Sequence, residues 1–250
     1  MNILVCKAKE GSIICDQNKV LTRWNEHFDG LLNKKNNQEH NAGEDEDIQS
    51  IEGPTVENTD PPTFEELDEA IKKLKNNKAP GADGITAELF KKGGTELKNR
   101  MFRLILRIWV DEELPHDWNF GIICPILKKG DPMACNNYRG MLLLNTAYKI
   151  LSCIIHARLS ECTERMIGKY QCGFRNGKST TNQIFTLSQI MEKTVEYQNG
   201  VHHLFVDFKS AYDSIYREKL LCAMMELGIP SELIRLVKTT LTNVQCSVQI

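Results

Sequence analysis

Apolar positions along the chain recur with two periods, and the alternation between them lays out the elements. Ile3, Val5, Ile13 and Ile14 stand on either side of Glu10-Gly11, the pattern of a hairpin. Val20, Leu21, Trp24, Phe28, Leu31 and Leu32 then recur at helical spacing, with Asp16 or Asn18 placed as the cap. After a polar gap, Thr63-Phe-Glu-Glu66 has the form of a capping box, opening a helix with Phe64, Leu67, Ala70, Ile71 and Leu74 as its stripe. Thr86 to Lys92 predicts a short helix, and Leu97, Met101, Leu104, Ile105, Ile108 and Trp109 a longer one that ends before Pro115. Ile122 to Leu127 reads as a strand in which Pro125 demands an edge or a bulge, and Met141 to Leu144 returns as its hairpin partner.

Asn145 or Thr146 caps the next helix, with Ala147, Tyr148, Ile150, Leu151, Ile154, Ile155 and Leu159 inward and Lys149, Arg158 and Arg165 outward. Ile184, Leu187, Ile190, Met191 and Val195 mark another amphipathic helix. Leu204, Phe205 and Val206 form a run too short for a helix and suited to a covered strand. Tyr216 to Leu227 gives a helix stopped by Gly228, Pro230-Ser231 opens a last one through Leu241, and Val244 to Ile250 begins a strand.

Composition narrows the class. A chain of 250 residues can bury a substantial core. Its longest apolar runs are far shorter than a membrane span, and its first residues lack the layout of a signal peptide. The expectation is an intracellular protein of nucleus or cytoplasm, neither secreted nor transmembrane. Nine cysteines form no Cys-x-x-Cys pair, which predicts reduced, mostly buried thiols. Asn36 to Pro62 holds eight acids and no Lys or Arg. Setting those eight charges aside from the net of −2 leaves +6 on the other 223 residues, a balance compatible with a polyanionic partner. The expected organisation is a hairpin-helix element over 1–33, an acidic disordered linker over 34–62 and one domain over 63–250.

Candidate chemistry gathers at the ends of these elements. Asp207 closes the 204–206 run, where an ionised carboxylate needs a partner, and a divalent cation is one solution. Tyr212 follows after a turn that could bring its ring alongside; a capping Asp207 and a core Tyr212 are the plain alternative. Lys78 leads into Pro80, Gly81 and Gly84, a tight turn whose amides could hold a phosphate backbone. Lys128, Lys129 and Arg139 flank the hairpin, offering two point charges and a guanidinium fork. Tyr170 to Thr181 is a polar loop in which Phe174 is interleaved with Arg175 and Lys178, a pattern suited to a nucleic-acid strand. No Gly-rich nucleotide fingerprint and no zinc spacing occurs.

Six ordered blocks carry a resemblance: Lys78-Ala-Pro-Gly-Ala-Asp-Gly-Ile85, Pro125-Ile-Leu-Lys-Lys-Gly-Asp131, Asn137-Tyr-Arg-Gly140, Leu144-Asn-Thr-Ala-Tyr-Lys-Ile150, Gln171-Cys-Gly-Phe174 and Phe205-Val-Asp-Phe-Lys-Ser-Ala-Tyr-Asp213. In this order they resemble the reverse transcriptases of non-LTR (LINE-type) retrotransposons, over about residues 63 to 250. The 1–33 element resembles the segment that precedes the polymerase there.

The resemblance implies an α+β right-hand polymerase, fingers and partial palm, helix-rich with short antiparallel strands. It implies Asp207 as a catalytic Mg²⁺ ligand with the Phe208 carbonyl as second contact, and Tyr212 as the gate under the deoxyribose. Lys128 and Arg139 would grip the incoming dNTP, and Lys78, Pro80, Gly81, Gln171, Gly173, Phe174, Arg175 and Lys178 would lie along RNA template and DNA primer. The complete family uses two Mg²⁺ ions, which neutralise phosphates and align the primer 3′-oxygen.

Departures from the family pattern set the functional expectation. An aromatic-x-Asp-Asp block after Asp213 is absent, the thumb is absent, and Leu142 and Asn182 stand where the family often has Ser and an acid. A lone Asp207 cannot hold two ions, so this chain is expected to bind Mg²⁺ weakly at most and to be inactive without a C-terminal palm and thumb. A non-catalytic nucleic-acid-binding relic, or an interaction protein whose old site is plain core, are the alternatives.

Overall fold

The computed structural model describes residues 5–33, 60–208, 211–212 and 215–250. Ile3, Lys209, Ser210, Asp213 and nearly all of the expected acidic linker lie outside the described residues.

Two hydrophobic cores organise the fold. The larger is helical. α2 (Phe64–Lys73), α4 (Thr95–Asp111), α5 (Thr146–Glu164), α7 (Arg217–Glu226) and α8 (Ser231–Leu241) bring together Leu67, Ile71, Ile105, Ile150, Leu151, Ile154, Leu233, Ile234 and Leu236, each at most 2 % exposed. The 63–66 capping box forms as its sequence dictates: the Thr63 N–H donates to Glu66 Oε2 at 2.8 Å and the Glu66 N–H to Thr63 Oγ1 at 3.3 Å. Glu66 also accepts two bonds from Arg158, at 2.6 and 2.8 Å, and the Arg158 guanidinium lies over the Trp109 ring. Arg158 is therefore not an outward residue of α5. The pairing of a fork donor with a carboxylate turns it toward α2 and holds the Glu66 carboxyl below its usual range.

Asp68, on the same helix, accepts from Lys72 at 2.6 Å and from Lys98 of α4 at 2.5 Å. These two bonds lower its carboxyl from 3.8 to about 2. A carboxylate whose folded pKa is depressed stabilises the fold above its unfolded pKa, and that stabilisation fades as pH falls from 3.8 through about 2. Denaturant titrations between pH 5 and 2 should show wild-type stability dropping faster than that of Asp68→Asn, and equal slopes would remove Asp68 from the acid response.

The smaller core is built around a sheet. β3 (Phe120–Leu127) pairs antiparallel with β4 (Tyr138–Leu143) and, on its other side, parallel with β5 (Gln245–Val248), in the order β4-β3-β5. The strand expected at 244–250 thus forms, but its parallel pairing corrects the expectation of antiparallel strands alone. Pro125 sits opposite Gly140, beyond the Phe120–Ile123 stretch that β5 covers, so its missing N–H faces an open edge.

Onto this sheet docks the N-terminal element. β1 (Cys6–Lys7) and β2 (Ile13–Ile14) make the expected hairpin, and Asp16 caps α1 (Gln17–Leu32) through a 2.9 Å bond from the Lys19 N–H. Val20, Trp24 and Phe28 bury themselves with Ile123, Cys135 and Tyr138, while Leu21 and Leu32 stay outside. Trp24 meets Tyr138 edge-on at 4.9 Å, and Lys7 bonds Asp131 at 2.6 Å. Residues 5–33 thus share a core with the sheet.

One expected helix forms but stays uncovered, and one expected strand does not form. α6 (Thr180–Glu196) buries none of its residues, leaving Ile184, Phe185, Met191 and Val195 more than half exposed. The 204–206 run forms no strand: Leu204 is 89 % and Phe205 80 % exposed, and no described strand pairs with it. A pleated segment takes shape only against a partner, and an amphipathic face is buried only where another element covers it. Among the described residues neither cover is present. Cysteines are also less buried than expected, with Cys15 and Cys222 exposed and all nine free.

Candidate nucleotide and nucleic-acid site

The β3–β4 hairpin and the turn that joins it place the basic side chains. Asp131 fixes the turn, accepting from Lys7 and from the Met133 N–H at 2.9 Å. The Asn137 amide donates to the Asp131 carbonyl at 3.0 Å, and the Tyr138 hydroxyl to the Pro132 carbonyl at 2.8 Å. With backbone held this way, Lys128 and Arg139 leave the hairpin end exposed, and neither side chain has a hydrogen-bond or ion-pair partner among the described residues. An unpaired guanidinium and ammonium over a rigid turn make a local positive field suited to phosphate oxygens.

A cleft of about 960 Å³ gathers Lys128, Arg139, Phe208 and Tyr212 on its walls. Four of the residues expected to serve one nucleotide are thus brought together. Asp207, next to Phe208, is exposed and has no partner among the described residues. Tyr212 is 71 % exposed and is no core aromatic. Its ring stands edge-on to Phe174 at 6.1 Å, which ties the 170–178 loop to the cleft.

Within that loop the roles divide. Phe174 is 97 % exposed and takes a left-handed backbone, φ 58°, that an aromatic residue adopts only when its surroundings enforce it. Arg175 enforces part of this. Its guanidinium bonds Glu164 and the carbonyls of Ile167, Gly168 and Gln171, leaving it 9 % exposed. The expected strand contact at Arg175 is thereby corrected to a loop staple, because its donors are already satisfied within the protein. Gln171 turns its amide to the Gly173 carbonyl, whereas Lys178 stays exposed at the loop's far end.

The 78–85 turn is seated on the start of α5. Gly81 is buried, and a Cβ there would come within 2.3 Å of Asn145 Oδ1 and 2.5 Å of the Asn145 backbone nitrogen. Thr146 Oγ1 donates to the Ile85 carbonyl at 2.6 Å, and Gly84 takes φ +68° to close the turn. Two motifs far apart in sequence thus lock together. Pro80 and Gly81 shape the seat, while Lys78 remains exposed. Gly81→Ala should cost at least about 1–3 kcal/mol, since the clash is with backbone and cannot be relieved by a rotamer change. A melting curve unchanged from wild type would contradict that contact.

Magnesium does not fit the described residues by themselves. No group of three or more His, Cys, Asp or Glu able to hold a metal is found among them. Asp207 with the Phe208 carbonyl is a partial ligand set, since Mg²⁺ is held by one or two carboxylates and completes its octahedron with waters and substrate phosphates. Asp213 is outside the described residues.

Sequence reasoning missed one wall of the cleft. His27, Phe28, Leu31 and Leu32 of α1 line it together with the basic hairpin. The signal that could have found them is Gly140: a side chain there would meet the Phe28 ring at 2.7 Å, so the glycine marks close approach by another element.

Comparison with known proteins bears on this arrangement. Residues 126–249, which hold the hairpin end, the 170–178 loop, Asp207 and Tyr212, match the family model described as reverse transcriptase (RNA-dependent DNA polymerase). The chain is 31% identical over 186 residues to the RNA-directed DNA polymerase from mobile element jockey of Drosophila funebris, covering 72% of this chain and 20% of the relative. It is 29% identical over 173 residues to the probable RNA-directed DNA polymerase from transposon BS of Drosophila melanogaster, covering 67% and 19%. It is 25% identical over 190 residues to the transposon TX1 uncharacterized 149 kDa protein of Xenopus laevis, covering 76% and 14%. The chain spans a fifth or less of the length of these relatives. By the ordered motifs, the family match and these relatives, the chain carries a reverse transcriptase domain of the non-LTR retrotransposon kind.

Proposed function

We propose that this chain is the nucleotide- and template-binding part of an RNA-directed DNA polymerase, fingers and partial palm, that works when further palm and thumb residues complete it. The observation that carries the reading is the cleft where the free Lys128 and Arg139 face Tyr212 and Phe208. In this reading Lys128 and Arg139 hold the triphosphate of a dNTP by charge-assisted hydrogen bonds. Tyr212 packs against the sugar, where a 2′-hydroxyl would meet the ring. Phe174, edge-on to Tyr212, offers a stacking face, and Lys178 and Lys78 follow the phosphates of RNA template and DNA primer.

Reverse transcriptases are in general Mg²⁺-dependent. Asp207 is the residue here that would contribute to such a site, together with ligands the described residues do not include. The uncovered faces of α6 and of residues 204–208 support this incompleteness, because apolar surface at that exposure is what a missing neighbour leaves behind.

A non-catalytic nucleic-acid-binding protein is the second reading, favoured by the exposed Lys78, Lys128, Arg139 and Lys178, whose charges would hold a phosphate backbone without a metal. RNA-templated primer extension separates the two. No extension is expected from residues 1–250 by themselves. Extension should appear when the palm and thumb of a jockey-type relative follow Ile250. If that extended protein binds RNA in a salt-sensitive way yet never extends a primer, the second reading replaces the first.

A further inference from the structure

Part of the cleft wall comes from α1, and its chemistry differs from that of the hairpin. Phe28 is seated in the gap left by Gly140, and Trp24 is fixed against Tyr138, so packing orients α1 on the sheet. His27 and Leu31 lie beside that buried stripe and border the cleft. The His27 ring is half-buried and edge-on to Phe28 at 5.2 Å, and its nitrogens have no hydrogen-bond partner among the described residues. Burial, with the nearby Arg23 charge, lowers its pKa. At neutral pH the imidazole is uncharged, with one donor, one acceptor and a flat face.

The cleft therefore carries positive charge from the hairpin and, from α1, aliphatic surface with an unsatisfied neutral ring. A nucleoside triphosphate has the matching halves. We propose that α1 forms the nucleoside side of this site and that His27 contacts the base of the bound nucleotide. This rests on the reading of the cleft as a nucleotide site. It makes the segment before the polymerase motifs part of the binding pocket, and His27 a determinant of affinity.

Calorimetric binding of two probes tests it, dATP and inorganic tripolyphosphate, each with Mg²⁺, to the full chain and its variants. His27→Ala should weaken dATP about tenfold, the worth of roughly one hydrogen bond, and leave tripolyphosphate unchanged. His27→Gln, which keeps a donor and an acceptor, should recover part of the loss, and it carries the test if His27→Ala fails to fold. Lys128→Ala should weaken both probes. Should both His27 variants bind dATP like wild type while Lys128→Ala weakens it, or should they weaken both probes equally, the role of His27 is overturned and the nucleotide site stands. Should wild type fail to bind dATP, or bind it regardless of Lys128, the nucleotide reading falls and the role of α1 with it.

Discussion

Asp207→Ala, in the chain extended beyond Ile250 with the palm and thumb of a jockey-type relative, is expected to lower RNA-templated primer extension by about a thousandfold or more. The expectation rests on where the carboxylate stands. It is exposed, is not itself among the residues lining the cleft although its neighbour Phe208 is, and engages no other described residue, so no described contact of the fold depends on it. Stability should consequently change by less than about 0.5 kcal/mol, the range of surface substitutions away from special features. A large loss of activity with an unchanged melting curve is the signature of a functional group. Asp207→Asn sharpens the test, because it keeps volume and one oxygen but removes the charge. Activity in Asp207→Asn within tenfold of wild type would show that the negative charge is not what the site uses.

Trp24→Ala should be the most damaging single change to the smaller core, at about 3–5 kcal/mol for truncating a large buried aromatic. Trp24 is fully buried, stacks on Phe28 at 6.0 Å and meets Tyr138 edge-on. Its indole N–H has no acceptor among the described residues. The effect should also be local, because Trp24 belongs to the core that joins α1 to the sheet and not to the helical one. Hydrogen exchange followed by mass spectrometry should show protection lost across α1 and the 6–14 hairpin and kept in α5. Uniform loss over both cores would mean that they unfold together.

Local signals were fully legible in the sequence where an element is decided by its own residues. Thr63 and Glu66 specify a capping box and the box forms; Gly228 stops α7 with φ +70°. Hairpins were legible too, because apolar runs on both sides of a polar turn leave few alternatives. Illegible features were those decided by a partner. Arg158 reads as a solvated helix residue until Glu66 is known to face it across ninety-two positions. Leu204 to Val206 reads as a buried strand because composition reports what would be buried, and cannot report whether a neighbour is there to do it. At the site, the residue types were legible and the gathering of Lys128, Arg139 and Tyr212 followed their motifs, whereas Arg175 carried the right charge for a strand contact and is held within the loop. His27 carried no motif at all. Its place follows from Phe28 fitting against Gly140, a contact between segments more than a hundred residues apart.

Cys246, Val248 and Ile250 pack against the same cluster as Cys6, Val20 and Trp24. Stretches separated by more than two hundred residues must therefore meet before this cluster is complete, and closing so long a loop brings its reward only after the entropy of the intervening chain has been overcome. During synthesis the helical core waits for α7 and α8, and the first thirty residues wait for β3 and β4 and last of all for β5. Any competing surface that captured them in that interval would leave the cleft with only its basic side.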